Sequence, residues 1–219
     1  GAQISHVMLT YDISSKTTRV ETANSINTLT FSSYQADSNV QNLLNKYASV
    51  IGNPNEIVGK TSSYRNSSTI LQTVADCMLD LGINEWGNSY DIVLAGGYLS
   101  IRSPFNLSSG NVTMEQIYNL LPFDNDIVLC SATGRFLKNY YMNSTNSNYY
   151  ISYNSGYNSS TSLNNNSIYY FITDTYGSDY YIYGKGYNST NKFQEVLHST
   201  SNKYARDLLA DFIRNGGYQ

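Results

Sequence analysis

Near its middle the chain runs Asp91-Ile92-Val93-Leu94-Ala95-Gly96-Gly97, an unbroken apolar segment ending in two glycines. Such a run fits a central strand covered on both faces, and paired glycines at its end mark a place where backbone closely approaches something else. Ile127-Val128-Leu129-Cys130 and Ile168-Tyr169-Tyr170-Phe171-Ile172-Thr173 read as two further core strands. Helical spacing lies between and beyond them. Ser67-Ser68-Thr69 offers an N-cap for a helix whose Ile70, Leu71, Val74, Cys77, Met78 and Leu81 share one face, closed by Gly82. Thr113-Met114-Glu115-Gln116 is a capping box opening a short helix that ends at Leu121-Pro122. Thr133 caps a helix carrying Phe136, Leu137, Tyr140 and Tyr141. Ser201 opens a terminal helix with Ala205, Leu208, Leu209, Phe212 and Ile213 inward, stopped by Gly216-Gly217. The alternation of strands and helices predicts an α/β (α+β) fold.

Working outward, His6 to Tyr11 and Thr18 to Thr22 alternate as strands around the turn-like Asp12 to Lys16, an opening hairpin. Asp37 or Ser38 then caps a helix whose Val40, Leu43, Leu44 and Tyr47 recur at helical spacing until Gly52 and Pro54. Glu56-Ile57-Val58 is a short strand. Residues 143–167 are biased to Asn, Ser and Tyr, with strand-like pieces such as Tyr149-Tyr150-Ile151-Ser152-Tyr153, and should hold hairpins and loops. After the strand at 168–173 the chain turns through Asp174-Thr175-Tyr176-Gly177-Ser178-Asp179 into Tyr180-Tyr181-Ile182-Tyr183. At this length a single domain over 1–219 is expected.

Composition narrows the function. A formal net charge of -3 over 219 residues provides no basic field, so nucleic acid is not an expected partner. Only 13% of residues are charged, whereas Tyr alone numbers 22. A surface of neutral polar groups is common in secreted and cell-wall proteins, and we expect an extracellular or cell-surface location. No apolar run reaches the roughly 18 residues that span a bilayer. Cys77 and Cys130 lie in apolar patterns, where a buried free thiol is a commoner reading than a bridge. The Asn-x-Ser/Thr triplets at Asn66, Asn106, Asn111, Asn143, Asn158, Asn165 and Asn188 are about as many as this composition produces by chance. Gly1-Ala2 followed at once by a strand-like segment leads us to expect an upstream partner region.

Hydrolytic chemistry has few footholds. A catalytic metal needs several converging His, Asp or Glu ligands, and the two histidines, His6 and His198, stand near opposite ends with no ligand spacing around them. The sequence has neither a nucleophile elbow nor a phosphate-binding glycine loop, and no Cys and His stand in a context that suggests nucleophilic catalysis. We therefore expect neither metal nor cofactor in this chain.

One region is dense in recognisable pieces. Ala95-Gly96-Gly97 leads to Arg102, Gly110-Asn111-Val112-Thr113 starts a helix, Leu121-Pro122-Phe123 makes a turn, and Ser131-Ala132-Thr133-Gly134-Arg135-Phe136-Leu137 joins strand to helix. This order resembles the C-terminal domain of the 5'-nucleotidase family, with its glycine loop leading to arginine, Gly-x-(Ile/Val)-Thr helix start, Leu-Pro-Phe turn and (Thr/Lys)-Gly-x-x-Leu helix. Asp76-Cys77-Met78 resembles that family's Asp-Ala-Met triplet, and the terminal helix has a counterpart, so the likeness covers most of the chain outside the Asn/Ser/Tyr-rich segment.

The resemblance implies a mixed β-sheet core flanked by helices and a domain that binds nucleoside or nucleotide. In that family the base lies between two aromatic rings, Arg and Asp side chains grip ribose and phosphate, and an N-terminal metallophosphoesterase domain of the same polypeptide holds two divalent metals. On this sequence the rings fall on Phe123 and Tyr176. The glycine loop gives Gly96, Gly97 and Arg102, while the second arginine is Arg65 and the ribose carboxylate is Asp179. Ala95 stands where the family has Asn, a longer spacer separates the glycines from Arg102, and the loop holding Asp179 is shortened.

The chemistry of such a site stands on its own. Stacking holds a planar base with about 1–3 kcal/mol and tolerates any base. An arginine fork suits phosphate or hydroxyl oxygens, and a carboxylate accepts from ribose hydroxyls. Losing the Asn donor relaxes discrimination between bases more than it weakens stacking. The alternative is a secreted or cell-surface adhesion module, its Tyr/Asn/Ser-rich face meeting a glycan or another surface and its nucleoside site vestigial.

Overall fold

The computed structural model describes residues 3–27, 37–51, 53, 55–99, 101, 106–142, 149–159, 161–179 and 193–219. Its contacts divide the chain into two compact units, 1–52 and 53–219. The boundary falls at Gly52-Asn53-Pro54, residues poorly suited to continuing a helix.

In the first unit, β1 (Gln3–Asp12) and β2 (Thr17–Asn27) form an antiparallel hairpin. Its turn is held by Asp12, whose Oδ1 accepts from the Ser14 and Ser15 amides at 2.8 and 3.2 Å. The Ser14 hydroxyl above all, together with these amides and the Ser15 hydroxyl, lowers the Asp12 carboxyl to about 2 through hydrogen bonds. Helix α1 (Ser38–Ile51) starts as expected, with Asp37 Oδ1 accepting from the Asn39 and Val40 amides. Its apolar Val40, Leu43 and Leu44 are more than half exposed.

The second unit holds β3 (Ile57–Thr61), α2 (Ser67–Trp86), β4 (Ile92–Tyr98), β5 (Gly110–Thr113), α3 (Met114–Leu120) and β6 (Ile127–Thr133). Then come α4 (Gly134–Leu137) running into a π-helical turn, β7 (Tyr149–Tyr153), β8 (Ile168–Asp174), α5 (Thr175–Asp179), β9 (Gln194–His198) and α6 (Ala205–Arg214). Five strands make one mixed sheet in the order β7-β4-β8-β6-β9, with β4 and β8 parallel and the other pairs antiparallel. Strands β3 and β5 form a separate antiparallel pair.

Both faces of the sheet are covered, which is why its central strands are mostly apolar. Side chains alternate between two cores. Ile92, Ile127, Leu129 and Ile172 pack with α2, α3 and α6, while Leu94, Val128, Cys130 and Phe171 pack with Phe136, Leu137 and Tyr141 on the other side. Ile70, Val74 and Met78 of α2 are completely buried, so truncating any of them to alanine should cost about 2–5 kcal/mol.

Several boundaries differ from the sequence reading. Asn66, not the following serines, caps α2, its Oδ1 accepting from the Thr69 amide at 2.8 Å. Gly82 does not close α2 but lies within it, because a Cβ there would come within 2.5 Å of the Ile172 side chain. The terminal helix opens after Tyr204 rather than at Ser201. Residues 199–201 instead form a loop held by Glu85, which accepts from the Ser199 hydroxyl at 2.7 Å and the Thr200 amide at 3.2 Å. The expected turn at 174–179 is a short helix, and β9 has no counterpart in the sequence reading. The Thr113–Gln116 capping box and the Thr133 cap are present. The strand expected at 180–183 lies outside the described residues.

Candidate nucleoside site

The carboxyl ends of parallel β4 and β8 lie at the same end of the sheet, the place where open α/β sheets offer crevices to ligands. A cavity of about 330 Å³ opens there. Tyr98 and Leu99 enter from the end of β4, and Leu121, Phe123 and Asn125 from the turn between α3 and β6. Asp174 and Tyr176 come from the junction of β8 and α5, and Ala205 from the start of α6. The walls are mostly apolar and aromatic, with few polar groups converging, the usual make-up of a small-molecule site.

The two rings expected to hold a base, Phe123 and Tyr176, both line this cavity, and they are 45% and 51% exposed. They reach it from elements far apart in sequence. The Tyr176 ring also faces Tyr98, with centroids 6.3 Å apart and planes tilted by 39°.

The glycines shape the strand leading into the cavity. Gly96 and Gly97 have φ of +112° and +130°, conformations that L side chains rarely adopt. A Cβ on Gly96 would lie 2.0 Å from the Tyr150 carbonyl oxygen, so this glycine lets β7 pair against β4. At Gly97 it would meet the Tyr141 ring at 3.0 Å and Thr173 Oγ1 at 3.4 Å. Burial pushes the Tyr141 phenol well above its ordinary value.

Asp174 is the carboxylate at the cavity. It ends β8 opposite Ile127 and caps α5, its Oδ1 accepting from the Gly177 amide at 2.7 Å and its Oδ2 from Asn125 Nδ2 at 3.0 Å. Only 5% of the residue is exposed, and burial pushes its carboxyl upward against the effect of these hydrogen bonds. Asp179, the carboxylate expected for ribose, is the exposed last residue of α5 and does not line the cavity.

Arg65 is also placed elsewhere. Its backbone bridges to Leu107, its guanidinium carbon lies 4.9 Å over the Tyr218 ring, and its Nη2 donates to the Tyr218 carbonyl at 3.4 Å. Arg102 lies outside the described residues. Among the described residues no cluster of His, Cys, Asp and Glu is arranged to hold a metal ion. Both cysteines are free, with burial raising the Cys77 thiol to about 12 and the Cys130 thiol well above its ordinary value.

A further arginine supports the site. Arg206, 5% exposed at the start of α6, lies between the Tyr118 and Tyr204 rings, its guanidinium carbon 4.7 and 4.8 Å from their centroids. Its Nη1 donates to the Phe123 carbonyl at 2.8 Å and its Nη2 pairs with Asp124. It thus holds the turn at and just after Phe123, the backbone that sets the direction of that ring. Sequence reasoning missed it, since a charge beside Ala205 reads as the solvated side of an amphipathic helix. Asp174 carried a usable signal, an Asp at a strand-to-helix junction three residues before the amide it caps. Tyr98 had one in its place directly after the glycines.

Comparison with protein families matches residues 48–178, more than half of the chain, to the 5'-nucleotidase, C-terminal domain. No curated protein matches the chain. Among solved structures the chain is similar to a 5'-nucleotidase precursor from Thermus thermophilus, at 14% identity and a TM-score of 0.55, with 98% of this chain and 47% of that one covered. It is also similar to a putative 5'-nucleotidase from Staphylococcus aureus solved in complex with alpha-ketoglutarate, at 14% identity and a TM-score of 0.58, covering 100% of this chain and 49% of that one. The chain thus spans about half the length of the solved structures it matches. With most of its sheet and its candidate cavity inside the matched residues, the chain belongs to the 5'-nucleotidase C-terminal domain family.

Proposed function

We propose that this chain is the substrate-recognising part of a nucleotide hydrolase, holding the nucleoside of its substrate in the cavity at the ends of β4 and β8. The observation that carries the reading is the meeting of Phe123 and Tyr176, half-exposed rings from separate elements, on one cavity that also contains a buried carboxylate. A planar base is the ligand such a pair suits, because each stacked face contributes about 1–3 kcal/mol without demanding a particular base. In this reading the hydrolysis belongs to an N-terminal metallophosphoesterase domain of the same polypeptide, which supplies two divalent metals and activates the water. The present chain supplies the grip. We place the protein outside the cell or at its surface, in keeping with a chain only 13% charged and rich in Tyr.

Titration of the chain by calorimetry with nucleosides and nucleoside monophosphates tests the reading. Weak binding is expected, lowered about tenfold or more in Phe123→Ala and in Tyr176→Ala, given the stacking energy of one ring. Binding that ignores both substitutions, or none at millimolar ligand, would contradict it and favour an adhesion module with a vestigial nucleoside site.

A further inference from the structure

Asp174 is an expensive residue for the place it occupies. As the cap of α5 it accepts from the Gly177 amide, a task that Asn performs about as well. Nothing in the cap calls for a charge, yet a carboxylate is buried there, and burying a charge is costly. Its position on the cavity offers the missing reason. A carboxylate only accepts hydrogen bonds, with about four lone-pair directions, and the described donors to Asp174, which are Gly177 N, Asn125 Nδ2 and the residue's own amide, leave a direction unused.

Asn125 narrows the choice further. Its Nδ2 donates to Asp174 at 3.0 Å, an orientation fixed by charge, since its Oδ1 would repel the carboxylate. Asn125 lines the same cavity, and with Nδ2 turned to Asp174 its Oδ1 accepts from no described donor. The pair therefore offers acceptors side by side, and the ligand edge that fits them carries adjacent N–H donors. Resting on the nucleoside reading above, we propose that Asp174 and Asn125 read the edge of the stacked base and select guanine, whose ring N–H and exocyclic amine are neighbouring donors. Adenine and cytosine present a donor beside an acceptor, and hypoxanthine has the ring N–H without the amine.

The test is a calorimetric ranking of guanosine, inosine, adenosine and cytidine on the chain, repeated with Asp174→Asn and Phe123→Ala. Guanosine should bind about tenfold or more tighter than the other three, the worth of one hydrogen bond to a charged group. In Asp174→Asn, which keeps the cap, the four should fall within about threefold of one another, whereas Phe123→Ala should weaken all four by a similar factor. Equal binding of the four nucleosides by the unaltered chain would overturn the proposal without need of a variant. A guanosine preference that survives in Asp174→Asn would overturn it too. If nucleosides bind and depend on Phe123 but show no ranking, the base-edge inference fails and the nucleoside reading stands; if none binds, both fall.

Discussion

Replacing Arg206 by methionine keeps much of the side-chain volume and removes the guanidinium, and the structure gives its cost. The bond to the Phe123 carbonyl joins a charged donor to a neutral acceptor, worth about 1.5–3 kcal/mol. Asp124 is 67% exposed, so the ion pair is solvent-screened and counts for about 0–1 kcal/mol. Stacking on Tyr118 and Tyr204 adds about 0.5–1 kcal/mol for each ring. Against this, Nε of Arg206 is buried without a hydrogen-bond partner, and removing it returns about 1–3 kcal/mol. We expect a net loss of about 2–3 kcal/mol, concentrated where Phe123 is aimed. The single tryptophan, Trp86, lies at the end of α2 and is 7% exposed, so its fluorescence during urea unfolding follows the second unit alone. With a urea slope of about 2–3 kcal/mol/M, the midpoint should fall by about 1 M, and nucleoside affinity should fall with it under native conditions. Arg206→Lys should recover only part of the loss, since a lysine lacks the fork. A midpoint and an affinity both unchanged in Arg206→Met would refute this account of the Phe123 turn.

Three other outcomes follow from the structure. Gly96→Ala should destabilise the second unit by about 3 kcal/mol or more, through a strained φ and displacement of β7; a Trp86 transition unchanged by this substitution would contradict the close packing at Tyr150. Cys77 and Cys130 should resist iodoacetamide at pH 8 in the native chain and react once unfolded in urea, as mass spectrometry would reveal; rapid native alkylation would contradict their raised thiols. The Asp174 carboxyl titrates above its ordinary value of 3.8 when folded, so its contribution favours folding at acid pH and is lost as pH rises through the folded value. Asp174→Asn should therefore gain stability relative to the unaltered chain as pH is raised from about 3 to 8, and a constant difference across that range would refute the sign.

Much of the fold was legible because its causes are local or periodic. The apolar runs at 92–95, 127–130 and 168–173 are strands for the reason that made them readable, being covered on both faces. The Thr113 capping box and the Thr133 cap are short-range hydrogen bonds written in adjacent residues. What stayed hidden depends on distant partners. Gly82 looks like a helix stop until Ile172 is seen against it, and β9, with its exposed Gln194 and His198, pairs only because β6 offers an edge. The site divides in the same way. Phe123 and Tyr176 came from the family resemblance, and both line the cavity, whereas Arg206 acts on a carbonyl 83 positions away and leaves no mark in its neighbourhood. Arg65 and Asp179 also came from the resemblance, at an offset position and in a shortened loop, and the structure places their side chains away from the cavity, with Asp174 standing at it.

The central claim is that a nucleoside sits in the cavity at the ends of β4 and β8. Chemical-shift mapping of the isotope-labelled chain during titration with guanosine tests it most directly. The account predicts saturable shifts at Tyr98, Phe123, Asn125, Asp174 and Tyr176, with the aromatic protons of the two flanking rings moved by the ring current of the base. Shifts confined to other surfaces, such as the hollow around Asn88 and Asp91, or none at millimolar guanosine, would contradict it.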